Sequence, residues 1–160
     1  MSKQTFVYKD FGNGGKGADC VIRAFVFATG KTFVAVCKML RVPYDKKTGR
    51  VSDDYEGYRW GDVVRIGKAE MRYIEYFKFT KNLRGKITVD DICRVSKKNP
   101  KLKNKKLIVG CEGKRKGKLL GHATCVENGK IYDLFDCGNW IVDSLIIFDG
   151  NGKSILPRGL

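Results

Sequence analysis

No apolar stretch in this chain approaches the roughly 20 residues that a helix needs to cross a bilayer, which excludes a single-helix membrane span. The opening Met1-Ser2-Lys3-Gln4 is not followed by the apolar core of a signal peptide. From these two absences we expect a soluble protein that stays in the cytoplasm. No CxxC pair occurs among the six cysteines, Cys20, Cys37, Cys93, Cys111, Cys125 and Cys137, which are scattered and mostly embedded in apolar runs. That spacing argues against a disulfide framework and for buried thiols in a reducing compartment. A zinc site combining His122 with Cys125, Cys137 and Cys111 is conceivable but lacks paired-knuckle spacing, so neither a metal nor a cofactor is expected. Internal repeats are missing, and only a lysine cluster is low in complexity. No zinc finger, RNA-recognition signature or clear helix-turn-helix is present; the two N-terminal helical segments look too apolar to lie in a DNA groove.

What is present suits a single domain over residues 1–160. Of 160 residues, 42% are hydrophobic and 31% charged, enough to build a core. The formal net charge is +15. Basic residues concentrate in "KKNPKLKNKK" (97–106) and "GKRKGK" (113–118), and Glu112 is the sole acid between Lys97 and Lys118. Such a cluster attracts polyanions: nucleic acid, an anionic membrane or an acidic protein surface. No aromatic residues interleave with these lysines as a base-stacking platform requires.

The segmentation predicts an α+β fold, with a helical half at about 10–98 and an antiparallel sheet at about 107–148. "QTFVY" (4–8) reads as a short strand, and "GNGGKG" (12–17) as a glycine loop. Asp19 is a good N-cap, whose carboxylate can accept from first-turn amides, for a helix from Cys20 to about Thr29 that stops at Gly30. Thr32 caps a second helix through about Leu40. Residues 46–62 read as irregular, and 61–79 as helix at first with an end that suits a strand equally well. Thr88 and Asp91 are spaced as a capping box before a short helix. From residue 107 the period becomes that of strands: "LIVGCE", "KLLGHATCVE", Asn128-Gly129, "KIYDLFD" and "SLIIF".

Cys20 opens a nearly all-apolar helix, at the position where unpaired amides and the macrodipole stabilise a thiolate. His122, the one histidine in the chain, lies in a predicted strand whose hairpin partner carries Asp133 and Asp136. A base that activates a thiol needs an acceptor behind its second ring nitrogen. With a two-residue turn at Asn128-Gly129, Asp133 shares the histidine's face at about 7 Å by the diagonal rule. With one extra turn residue, Asp136 stands opposite at about 5 Å. We favour Asp136, as the residue ending that strand at the same sheet rim, with Asp133 in reserve. Arg23, one turn into the helix, is expected to pair with an acid or to lie near the site mouth.

"ADCVIRAFVFATGKTF" and "GHATCVENGKIYDLFDCGN" together resemble small papain-like cysteine hydrolases frequent in bacteriophages and mobile elements, a group that includes bacteriocin-processing and NlpC/P60-type peptidases. The resemblance covers about residues 10–45 and 107–148. It implies a papain-like fold, a phage-encoded protein acting in the host cytoplasm, and a cysteine peptidase or amidase. Cys20 would be the nucleophile, His122 the base and acid, and Asp136 the orienter. The Cys20 amide and one further donor would hold the oxyanion. Papain-like enzymes often take that donor from a glutamine about six residues before the cysteine; Gly14 stands there here, with Asn13 as a substitute. The substrate implied is a peptide or acyl amide, in keeping with the lysines an acidic one. The competing expectation is a catalytically degenerate basic protein that binds nucleic acid or an acidic partner through Lys97–Lys118.

Overall fold

The structure, a computed structural model, describes residues 6–10, 19–49, 51, 74–78 and 86–148. Its elements in chain order are β1 (Phe6–Tyr8), α1 (Cys20–Thr29), α2 (Phe33–Leu40), β2 (Ile74–Lys78), α3 (Val89–Lys98), β3 (Lys106–Arg115), β4 (Lys118–Glu127), β5 (Lys130–Asp133) and β6 (Ile141–Phe148). A 3-10 turn at Pro100–Leu102 follows α3.

Local chemistry accounts for the boundaries. α1 ends where Gly30 adopts a left-handed φ of 70° and returns its N–H to Val26, a conformation that costs glycine nothing. The Thr32 hydroxyl accepts from Ala35 N at 3.2 Å to start α2, and the two helices meet at a 111° bend. At α3 the capping box forms, with Asp91 Oδ2 accepting from Thr88 N and Thr88 Oγ1 accepting from Asp91 N. The next two first-turn amides, of Val89 and Asp90, donate to the Trp140 and Gly138 carbonyls. The start of α3 therefore pins the turn that carries Trp140. No single helix among the described residues is long and apolar enough to cross a membrane.

The strands form a six-stranded sheet in the order β1-β5-β4-β3-β6-β2. This corrects the expected layout in two ways. The sheet is mixed rather than antiparallel, because β1 lies parallel to β5, with Phe6 beside Ile131. One edge strand, β2, comes from the half expected to be helical, at the β-branched, aromatic end of 61–79; the other, β1, is the short strand expected in "QTFVY". Two tight turns set the central hairpins. Lys116-Gly117 and Asn128-Gly129 all have positive φ, between 50° and 84°, the twist that two-residue hairpin turns require.

Helices cover both faces. On one, Val21, Ile22, Phe25, Val36 and Leu40 pack over Ile108, Ala123, Cys125 and Ile146. On the other, Val89, Ile92 and Cys93 pack over Leu107, Val109, Cys111, Val126 and Val142. Each fully buried Ile, Leu or Phe contributes about 1.5–3 kcal/mol from burial alone. Strand alternation sends Ala123 and Cys125 to the α1 face and His122, Thr124 and Val126 to the other. α1 itself is apolar nearly all round because it is buried nearly all round, with Arg23 and Phe27 covered as well.

Candidate active site

The β4–β5 ladder pairs Glu127 with Lys130, Val126 with Ile131 and Cys125 with Tyr132, and goes no further. β5 stops at Asp133, and the chain turns away from β4. Into the space that opens, β4 sends His122 and β5 sends Asp133. His122 Nε2 and Asp133 Oδ2 are 2.6 Å apart, with the two residues only 9% and 4% exposed.

Asp133, not Asp136, is therefore the carboxylate behind the ring. The two-residue turn holds, and the strand ends three residues before Asp136. The Asp136 carboxylate instead accepts from Gly138 N at 2.9 Å within its own bend. The diagonal separation that counted against Asp133 is closed by two side chains leaning toward each other past the end of the ladder.

Asp133 is held on its other oxygen. Oδ1 accepts from Leu134 N at 2.7 Å and lies 3.4 Å from Arg23 Nη1. Arg23 Nε in turn donates to Asp19 Oδ1 at 2.9 Å. This corrects the role expected of Asp19. It occupies the N-cap position of α1, and its carbonyl accepts from Arg23 N. Its carboxylate caps no first-turn amide, because it is taken by the guanidinium one turn on. The first-turn amides of α1 are thereby left without a side-chain cap, beside the Cys20 sulfur.

Cys20 completes the set. Its thiol lies near enough to the His122 side chain and the Ala123 backbone for both to favour the thiolate. Since Nε2 faces Asp133, Nδ1 is the ring nitrogen left for sulfur. Burial pushes the Cys20 thiol up, but the His122 side chain, the Ala123 backbone and the Arg23 charge outweigh it and hold its pKa below the ordinary thiol value. Burial likewise opposes the charged imidazole, yet Asp133 and Cys20 raise His122 to about 10. Burial disfavours the Asp133 carboxylate too, and His122 with Thr124 and the Leu134 amide holds it below the usual range. The arrangement favours a thiolate–imidazolium pair backed by a carboxylate. Asn13 and Gly14, considered for the oxyanion site, lie outside the described residues.

The other thiols differ. Burial drives Cys37 to about 11, Cys93 to about 12 and Cys125 well up. Cys125 belongs to the α1 face, where its thiol points to the Ala24 carbonyl, which removes it from the conceivable zinc set. A hydrogen bond between Cys111 and Cys137 raises the first and lowers the second. Cys137 Sγ lies 4.0 Å from Asp133 Oδ2. Donor atoms of His122, Asp133 and Cys137 lie within 4.8 Å of one another, a spacing that could hold a cation. His122 and Asp133 are, however, already at the distance of a direct hydrogen bond.

Sequence reasoning missed the aromatic wall. Phe135 lies tilted against the His122 ring at 4.8 Å, and Trp140 meets it edge-on at 5.8 Å. Trp140 packs directly over Gly113, where any side chain would occupy the indole's place. Gly113 opens the basic run "GKRKGK", past the end of "LIVGCE", and nothing in the sequence marked its contact with Trp140. Compared with known proteins, the chain matches no protein-family model and no curated sequence.

Proposed function

We propose that this protein is a papain-like thiol hydrolase, a cysteine peptidase or amidase acting through Cys20, His122 and Asp133. The observation that carries the reading is that the chain's one imidazole lies between the Cys20 thiol and the Asp133 carboxylate. The order of the three along the chain, on a buried helix and then a hairpin, is that of the resemblance noted in the sequence. The free thiols suit a reducing cytoplasm, that of the host if the protein is phage-encoded.

In the proposed reaction His122 takes the Cys20 proton, and the thiolate attacks the carbonyl carbon of an amide or thioester. The uncapped first-turn amides of α1, Cys20 N foremost, receive the oxyanion. The imidazolium returns its proton to the leaving amine or thiol, leaving an acyl thioester on Cys20. A water, deprotonated by His122, then attacks that thioester, releasing the acid and restoring the thiol.

The test uses p-nitrophenyl acetate as a generic acyl donor, with the modified residue located by mass spectrometry. We expect an acetyl group on Cys20 that forms fast and then clears by hydrolysis. Both steps should be lost in His122→Ala. Acetylation spread over the cysteines, or unchanged in His122→Ala, overturns the reading and favours the degenerate basic binding protein, for which the net charge of +15 is the supporting observation.

A further inference from the structure

The basic cluster, continuous in sequence, is divided in space. β3 runs ten residues from Lys106 to Arg115, which at the strand rise separates its ends by about 30 Å. The 97–105 segment lies at one end, tied to the Asn128-Gly129 turn by a reciprocal Asn104–Asn128 pair at 2.8 and 2.9 Å. Lys106 is turned inward, donating to the Phe27 carbonyl at 2.9 Å. Lys114, Arg115, Lys116 and Lys118 lie at the other end, on the ribbon where β3 and β4 extend past the core.

That ribbon leads to the site. Cys111 pairs with His122, Gly113 with Leu120 and Arg115 with Lys118, and cross-strand partners share a face. Arg115, Lys118 and Leu120 therefore stand on the face that carries His122. The Arg115 guanidinium lies 4.2 Å over the Phe135 ring, which itself lies tilted against the His122 ring. On that face Leu120 is 42% exposed, an aliphatic side chain beside Arg115 and Lys118.

From this juxtaposition we infer that the β3–β4 ribbon docks an acidic, aliphatic polypeptide segment, with Arg115 and Lys118 binding its carboxylates. This names the substrate class for the hydrolase proposed above and rests on that reading. An extended segment advances about 3.3 Å per residue, so a carboxylate held at Arg115 and Lys118 lies about four residues from a carbonyl at Cys20. Charge complementarity calls for an acidic partner, and the exposed Leu120 among the cations selects polypeptide over nucleic acid. Bases need aromatic faces to stack on, and the ring nearest these cations, Phe135, is already covered by Arg115 and His122.

The experiment uses the full chain carrying Cys20→Ala, so that binding is read without turnover. Its probes are a fluorescein-labelled twelve-residue Glu/Leu peptide, the same peptide with Gln for Glu, and a twelve-nucleotide single-stranded DNA. At about 150 mM salt, where long-range attraction is largely screened, the Glu peptide should bind about ten-fold or more tighter than the Gln peptide. Arg115→Gln with Lys118→Gln should remove that preference, and Lys101→Gln with Lys103→Gln, at the far end of β3, should leave it. Equal binding of the two peptides, or a preference indifferent to Arg115 and Lys118, overturns the inference. So does DNA that displaces the Glu peptide at lower concentration than unlabelled peptide does. All four substituted side chains are exposed, and an unchanged Tm in each variant confirms an intact fold. If acylation of Cys20 fails while this binding pattern holds, the hydrolase reading falls and the docking surface stands.

Discussion

At Asp133 one carboxylate receives a backbone amide, an imidazole and a guanidinium, brought to it from β4, α1 and its own turn. Asp133→Asn keeps the shape and loses the charge that favours imidazolium. Acyl transfer to Cys20 should drop by about a hundred-fold or more, while Asp136→Asn should stay within about two-fold; stopped-flow release of p-nitrophenol distinguishes them. The reactivity of Cys20 toward iodoacetamide should titrate with a midpoint below that of an ordinary thiol, and the midpoint should rise in His122→Ala. Cys20 and His122 could be read from the sequence because each is singular: a thiol heading an apolar helix, and one imidazole in the chain. The choice of carboxylate could not. Both aspartates follow the same β-prone run, and which one faces the ring depends on where β5 leaves β4, a tertiary event rather than a local preference. Arg23 was expected to find an acid, but its partners needed the docking of helix on sheet.

Among the elements, those with chemical punctuation were the legible ones. Gly30 ends α1, Thr32 opens α2, Thr88 and Asp91 open α3, and Asn128-Gly129 makes a hairpin, each through a local backbone requirement; Asp19 marks the start of α1 without capping it. Thr88→Ala should cost about 1 kcal/mol in urea denaturation, the usual value of an N-cap. β6 begins at Ile141, three residues before the expected start, because the capped end of α3 holds the preceding turn against it. Gly113 carries no such punctuation. Its requirement comes from the Trp140 indole lying against its Cα. Gly113→Ala should therefore destabilise by about 1–3 kcal/mol through overpacking, and the displaced Trp140 fluorescence should shift with it. Because Trp140 meets the His122 ring, the same variant should slow acylation more than its loss of stability explains.

For the whole molecule, the sequence conveyed the α+β class and the central hairpins but not the closure of the sheet. β1 and β2 reach its two edges from distant parts of the chain, and short strands of that kind are chosen by the edge they meet. The buried charges set how stability follows pH. Asp133 has a depressed carboxyl in the folded state, so its contribution is complete above the unfolded carboxylate pKa of about 4 and is lost as pH falls through the folded value. The Tm should decline on acidification below about pH 4, and Asp133→Asn should melt lower but with a flatter acid limb. His122 is raised to about 10. Its contribution is complete below the unfolded imidazole pKa of about 6.5 and is lost as pH climbs toward the folded value. Removing Arg23 would bury the Asp19 and Asp133 charges without their common counter-ion, a loss of about 3–5 kcal/mol that a melting curve of Arg23→Ala would read.

The partner that makes the Cys20 sulfur acidic enters the chain about a hundred residues later. While the protein is being synthesised, α1 emerges with an ordinary thiol at its head, and it stays ordinary until β4 has left the ribosome and laid His122 beside it. On the reading proposed above, assembly of the sheet thus acts as a timer: the thiol at the head of α1 gains its imidazole only as the later strands come into place.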